Sequence, residues 1–337
     1  MKIDFIASNQ NLEVGSYRIW VDGVSRVLCN KKHDIKIIKS IDQIRPDAVV
    51  IFSKGDYQYS DQIKGDVVKG AINISADEKK GNFDFLICGS IEEKKSLEKN
   101  HKNVVIVNLI EDLYSNLPLK IHKKKDEIVV GFHGSYTHLF KMKFGFIDAF
   151  NELVESGSNV ILKIITDNVD MALKFLTESG VRKDRLIVQK WNINTVIEDL
   201  RDIDIGVVPN ATNFERVDPE VLRICSNDAG IYSTDYFLRF KNKSNPGRAF
   251  VFIQNGIPVI SDLTPSNMPL FHDEKCGQIA NCKMTWKAAL ERFFDEEVRR
   301  SVARLASERF KSMYSFEKDI DELERVIQLC VNRKIKN

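Results

Sequence analysis

A chain of 337 residues, 43% hydrophobic and 29% charged, reads as globular and long enough for two domains of ordinary size. A net charge of +2 and 9% aromatic content give neither the field nor the stacking platform that nucleic-acid binding needs. The six cysteines (29, 88, 225, 276, 282, 330) form no CxxC pair, which fits reduced thiols better than a disulfide scaffold or a zinc site. No apolar run approaches the roughly 18 residues of a membrane span, and the opening MKIDFIASNQ carries Asp4 where a secretory signal would be apolar.

In chain order, KIDFIA (2–7) predicts a strand, and SYRIWVDGVSRVL (16–28) a helix with Tyr17, Trp20, Val21, Val24, Val27 and Leu28 at helical spacing. DIKIIK, DAVVIF, GAINIS, DFLICG and NVVIVNL follow as β-branched strand candidates, with helices around 55–69 and 91–100. The basic run PLKIHKKKDE (118–127) breaks the pattern and reads as a solvated linker. A second series starts at EIVVGFHGS (127–135). It continues through helix 140–156, strand NVILKIIT (159–166), helix 169–179, strand RLIVQKW (185–191), helix 193–202 and strand DIGVVP (204–209). After an irregular stretch (210–243), KSNPGRAFVFIQNGIPVI (243–260) spells a sharply bounded helix. Ser244 or Asn245 can cap it, Pro246 suits its first position, Gly256 fits the left-handed stop, and Val259-Ile260 begin a strand. Two helices, around 285–311 and 316–333, close the chain, each with apolar residues three and four apart on one face.

Strands alternating with helices in two series predict two doubly wound, Rossmann-like α/β domains in tandem. Ligands of such sheets bind at the carboxyl ends of strands, and with two sheets the cleft between them is the expected site. The loops to watch are therefore 8–16, 53–60, 75–82, 132–138, 190–194, 209–214 and 243–248.

The loop NQNLEVGSY holds Glu13, a flexible Gly15 and Ser16 as a helix cap. It lacks the GxGxxG of a nicotinamide site. His133-Gly134-Ser135 end the first strand of the second series, where Gly134 lets a ligand approach the backbone and Ser135 can donate. Trp191-Asn192 could border a base, as a stacking surface and a reader of polar edges. Asp77 is a loop carboxylate that could serve as a base. Asp202-Ile203-Asp204 spells DxD, yet it runs straight into a strand and reads as a turn. Lys243 and Arg248 flank a helix start, whose free N–H groups and dipole favour an anion, phosphate first. Each of these residues also has a bland reading as a cap, a packing side chain or a solvated charge.

The second series resembles GT-B glycosyltransferases of the broad family 4-like group. The likeness rests on three segments in order: EIVVGFHGSYTHLFKMKFGFIDAFNEL, RLIVQKWNINTVIEDLRDIDIGVVP and KSNPGRAFVFIQNGIPVISD, the last ending in G-x-P-V-I. It covers roughly 127–330, and the first series matches only in layout. Many retaining members carry two Glu eight residues apart before that motif. Here Lys243 and Val251 stand at those positions, so a ribose contact from Val251 is ruled out. The remaining Lys243, Ser244, Asn245 and Arg248 look like the variant found in some polysaccharide-assembly transferases.

The resemblance implies two Rossmann-like domains facing a cleft, with C-terminal helices crossing back: residues 1–120 on the acceptor side, 121–315 on the nucleotide-sugar side, and helix 316–337 returning to the first domain. It implies metal-independent sugar transfer to a glycan or lipid-linked acceptor in bacterial-type surface polysaccharide assembly, with the nucleotide sugar as substrate and no cofactor. His133, Gly134, Ser135, Trp191, Asn192, Lys243, Ser244, Asn245 and Arg248 would bind donor. Gly15 and Ser16 would approach phosphate or acceptor, and Asp77 or Glu13 would be the base. The expected setting is cytoplasmic, with peripheral contact at the inner face of the membrane left open, and no nucleic-acid partner. Two alternatives share the architecture: a nucleotide-sugar 2-epimerase and a non-catalytic GT-B-like binding protein.

Overall fold

The computed structural model describes residues 1–74, 81–143, 145–210 and 244–336. They form two compact units: 1–115 with 245–247 and 314–337, and 116–244 with 248–313. Each unit is built on a six-stranded sheet in which every pairing is parallel.

The first sheet contains β1 (Lys2–Ile6), β2 (Asp34–Ile38), β3 (Val49–Phe52), β4 (Lys69–Ile72), β5 (Phe85–Cys88) and β6 (Val104–Ile106), in the order β2-β1-β3-β4-β5-β6. The order reverses between β1 and β3, which makes their carboxyl ends the switch point where doubly wound sheets take ligands. VVIF and FLIC are buried along their whole length, as expected of parallel strands covered on both faces. One covering layer includes the last helix of the chain, Phe316–Lys336, whose Ile320, Leu323, Val326, Ile327 and Cys330 share a core with Ile3, Phe5, Trp20 and Val105.

The second sheet contains β7 (Ile128–His133), β8 (Val160–Thr166), β9 (Leu186–Lys190), β10 (Ile205–Val208), β11 (Val259–Ser261) and β12 (Gln278–Ile279), in the order β12-β11-β10-β7-β8-β9. Counted from β7, this is the 3-2-1-4-5-6 order of the Rossmann sheet, with its switch point between β7 and β10. The two-residue β12 is too short for any periodic signal.

Several sequence expectations need correction, among them the helix expected around 55–69, which is a 3-10 helix over Asp56–Gln62. The helix expected over 140–156 is two elements, a 3-10 helix Tyr136–Met142 and an α-helix Phe146–Glu155, with Gly145 between them at φ +88°. The helix expected over 285–311 breaks at 293–295 into Lys283–Arg292 and Glu296–Met313, because Asp295 Oδ1 accepts from the N–H groups of Glu297 and Val298 and starts a new helix. The basic run is clasped rather than simply solvated. Lys120 Nζ and Lys125 Nζ donate to Asp204 Oδ1 at 2.9 and 3.0 Å, and buried His122 Nε2 donates to Gly256 O at 2.8 Å. Burial would raise the Asp204 carboxyl, but Lys120, the Val129 N–H and Lys125 hold it below its ordinary value. Asp202 pairs with buried Lys163 at 2.9 Å, so both carboxylates of the DxD have lysine partners.

Candidate functional site

The carboxyl end of β7 and the start of helix Gly247–Gln254 meet at the switch point of the second sheet. The helix forms because its AFVFI run is buried among other apolar side chains, with Phe250 edge-on to Phe310 at 5.0 Å. It stops where the sequence indicates. Gly256 has φ +70°, its N–H donates to Ile253 O, and Ile257 N–H donates to Phe252 O, the paired bonds of a left-handed helix stop. A Cβ on Gly256 would lie 2.7 Å from Lys120 N. At the other end, Asn245 Oδ1 accepts weakly from Gly247 N at 3.4 Å, and Pro246 sits one position before the helix.

This placement puts Arg248 on the first turn. Its guanidinium carbon lies 5.1 Å from the centre of the Phe132 ring, and its side chain runs past Gly134, 3.4 Å from where a Cβ would be. Gly134, at φ +132°, leaves that passage open. The residue keeps some exposed surface, but Nη1 is sealed from solvent and has no hydrogen-bond partner among the described residues. Desolvation alone pushes the group down to about 10. His133 locks the geometry: its Nε2–H donates to Arg248 O at 3.1 Å, and its ring stands edge-on to Phe252 at 4.9 Å.

Several groups that the sequence did not single out complete the neighbourhood. Lys141, on the 3-10 turn after Gly134, donates to Asn210 Oδ1 at the end of β10, bridging the two strands of the switch point. Asn210 N–H donates to Asp262 Oδ2 at 3.1 Å, which ties the loop after β10 to the loop after β11. Asp167, just after β8, accepts from Ser135 Oγ and from Tyr136 N–H, each at 2.8 Å. Its burial opposes ionisation, yet these donors hold its carboxyl below the ordinary value. The signal for Asp167, Asn210 and Asp262 was positional, since each is an acceptor one or two residues past a strand.

The structure thus gathers His133, Gly134 and Arg248, with Ser135 turned to Asp167. Trp191 and Asn192 follow the edge strand β9, two strands from β7. Asn192 Oδ1 accepts from Asn194 N at 2.8 Å, which commits its carbonyl to the turn into the next helix. Ser244 is buried. Lys243 and Asp77 lie outside the described residues.

In the first unit, Glu13 is exposed on the loop after β1, at that sheet's own switch point. Ser16 is not the cap expected from sequence. The helix starts a residue earlier, at Gly15, with Val14 in the cap position and no side-chain cap bond. A π turn over Arg18–Gly23 follows directly. Among the described residues no three His, Cys, Asp or Glu side chains gather as a metal site, and no helix is long and apolar enough to cross a membrane.

No protein-family model matches the sequence, and no curated protein matches it significantly. Solved structures do. Sucrose-phosphate synthase from Thermosynechococcus elongatus is similar with a TM-score of 0.63 at 11% identity, over 98% of this chain and 99% of its own. HepE from Anabaena, solved with UDP and glucose, is similar with a TM-score of 0.59 at 10% identity, over 97% and 99%. TarM from S. aureus has a TM-score of 0.56 at 10% identity over 83% of this chain, which spans only 54% of TarM. Two parallel Rossmann-like sheets in tandem, matched nearly end to end by such proteins, give the chain the GT-B glycosyltransferase fold.

Proposed function

We propose that the chain transfers a sugar from a nucleotide-sugar donor to a glycan or lipid-linked acceptor, without a metal ion, in the assembly of a surface polysaccharide. The observation that carries this reading is the sealed Nη1 of Arg248 at the switch point of the second sheet. A desolvated guanidinium without an anion is costly, and a diphosphate supplies the missing acceptor. The first-turn N–H groups of helix Gly247–Gln254 and the nearby Lys141 ammonium favour the same ligand.

The chemistry follows from where charge develops. The bond between the anomeric carbon and the diphosphate oxygen breaks, and its electron pair leaves with the oxygen. Arg248 and the helix start stabilise that charge more than they stabilise the intact donor, and each well-placed donor group is worth about 3 kcal/mol of barrier. The acceptor hydroxyl oxygen forms the new bond and loses its proton to a base within hydrogen-bond reach. Glu13 is the candidate base among the described residues, and Asp77 is a candidate outside them. Trp191 and the Asn192 amide are the candidates for the base of the nucleotide.

The HepE complex with UDP and glucose makes UDP-glucose the first donor to try. The test is thermal unfolding of wild type and Arg248→Met with UDP, GDP, CMP, ADP and dTDP, each with and without chelator. Stabilisation of wild type by one nucleotide in chelator, absent in Arg248→Met, is the expected result. No stabilisation by any nucleotide would overturn the reading.

A further inference from the structure

The second sheet ends on one side in a strand whose outer edge is open. β9 is last in the order β12-β11-β10-β7-β8-β9 and pairs with β8 in an unbroken register from Leu162↔Leu186 to Thr166↔Lys190. Trp191 N–H donates to Thr166 O at 2.7 Å, so the alternation of parallel pairing turns the backbone groups of Ile187 and Gln189 toward β8. Val188 and Lys190 turn their N–H and C=O groups the other way, and no described strand pairs with them. Exposed edges are ordinarily blunted by shortness, proline or a bulge. The opposite edge, β12, has two residues. β9 has five, with no proline and no break in its register. Within it Ile187 is 47% exposed and Lys190 is exposed.

The charge along this edge is mostly of one sign. Arg182, Lys183, Arg185 and Lys190 stand against one carboxylate, Asp184, and Arg182 already holds that carboxylate through bonds of 3.0 and 2.6 Å. Arg185 Nη1 donates to a neutral acceptor, Asn159 Oδ1, at 2.6 Å, and its Nε lies 3.8 Å from Asp184, too far for a hydrogen bond. We propose that the outer edge of β9 docks an extended acidic segment of another polypeptide, which adds to the six-stranded sheet as one more strand. Its backbone takes the open groups of Val188 and Lys190. An apolar side chain lies beside Ile187, and carboxylates meet Lys183, Arg185 and Lys190. The same cations turn a second copy away, because pairing β9 with itself sets like charges side by side. The surface lies on the second unit alone, and the proposal does not rest on the transferase reading.

The experiment is fluorescence anisotropy of three short labelled peptides with the full chain, joined to amide hydrogen exchange followed by NMR. One peptide alternates glutamate and valine, the second keeps the same charges with prolines in place of the central valines, and the third alternates lysine and valine. The glutamate–valine peptide is expected to bind saturably, more weakly as salt rises, and to slow exchange at Val188 and Lys190 by roughly tenfold or more. The other two should not bind. Lys183→Glu combined with Lys190→Glu should weaken binding by roughly fivefold or more and leave the melting temperature unchanged. Absence of binding, equal binding of the proline peptide, unchanged affinity in the variant, or unchanged exchange at Val188 and Lys190 would each overturn the proposal. So would slowed exchange there without peptide as protein concentration rises, which would name a second copy as the occupant.

Discussion

Two arginines show how differently the two units use a buried cation. Arg18, in the helix after β1, meets Glu111 at 2.7 Å, with both side chains only 10% exposed, and also donates to Leu12 O. Its charge is balanced, and it serves to hold the loop that carries Glu13. Burial raises the Glu111 carboxyl and the neighbouring Tyr114 phenol, while Arg18 opposes both shifts. Arg248 faces an aromatic ring with Nη1 unsatisfied among the described residues. A paired cation holds a fold together, whereas a sealed one lacking an anion is poised for a ligand.

Substitution should separate the two. Arg18→Met removes the guanidinium that buried Glu111 pairs with and should cost about 3–5 kcal/mol in urea unfolding. A cost below 1 kcal/mol would mean that the pair is not structural. The pH dependence should also differ in sign. His122, in the clasp of the second unit, is pushed down to about 4 by burial, although its bond to Gly256 O favours the charged ring. A depressed histidine contributes fully above its unfolded value near 6.5, and that contribution is lost as pH falls toward 4. At about 1.4 kcal/mol per pH unit, the loss is at most about 3–4 kcal/mol. Urea midpoints between pH 7 and 4 should fall in wild type and flatten in His122→Gln. Glu111, with a raised value, works the other way: its contribution is full below the unfolded carboxylate value and is lost as pH rises through the folded one.

Arg248→Met should leave the unliganded protein as stable as wild type, or more stable, because it removes a desolvated charge. It should abolish the roughly 2.7 kcal/mol of stabilisation that a nucleotide at 100 times its dissociation constant gives. If Arg248→Met unfolds the protein, the contrast with Arg18 collapses. Gly256→Ala should cost more than the roughly 1–2 kcal/mol of left-handed strain, because its Cβ would also lie 2.7 Å from Lys120 N. A thermal melt matching wild type would show that the backbone there relaxes away from Lys120.

The strands that frame both sites were legible because β-branched runs ending in polar turns have few other readings. The stop at Gly256 and the missing carboxylate at Val251 were equally plain, and Val251 is indeed buried in its helix. What escaped depended on distance along the chain. Asp204 turns Lys120 and Lys125 from a charge run into a clasp, but it lies some eighty residues away and carries no periodic signal. Lys141 was hidden by reading one helix across 140–156, since the 3-10 turn and Gly145 interrupt a pattern that apolar spacing alone continues. Ser16 has the right residue type for a cap and misses the position by two residues. Asp56, whose carboxylate accepts from Ser8 N–H, fell within a loop worth watching, but only the order of the strands shows that this loop lies at the reversal between β1 and β3.

The last helix carries a consequence for how the chain is made. Ile320, Leu323, Val326, Ile327 and Cys330 are core residues of the first unit, yet they follow the whole second unit in sequence. During synthesis the second unit can close its core as soon as residue 313 is available. The first, whose sheet is complete by residue 115, must wait on the order of 200 residues from that point for its last helix, roughly 10–40 s at ordinary translation rates. Until then its sheet has an apolar face uncovered, and that interval is when the nascent chain is most open to chaperones and to aggregation.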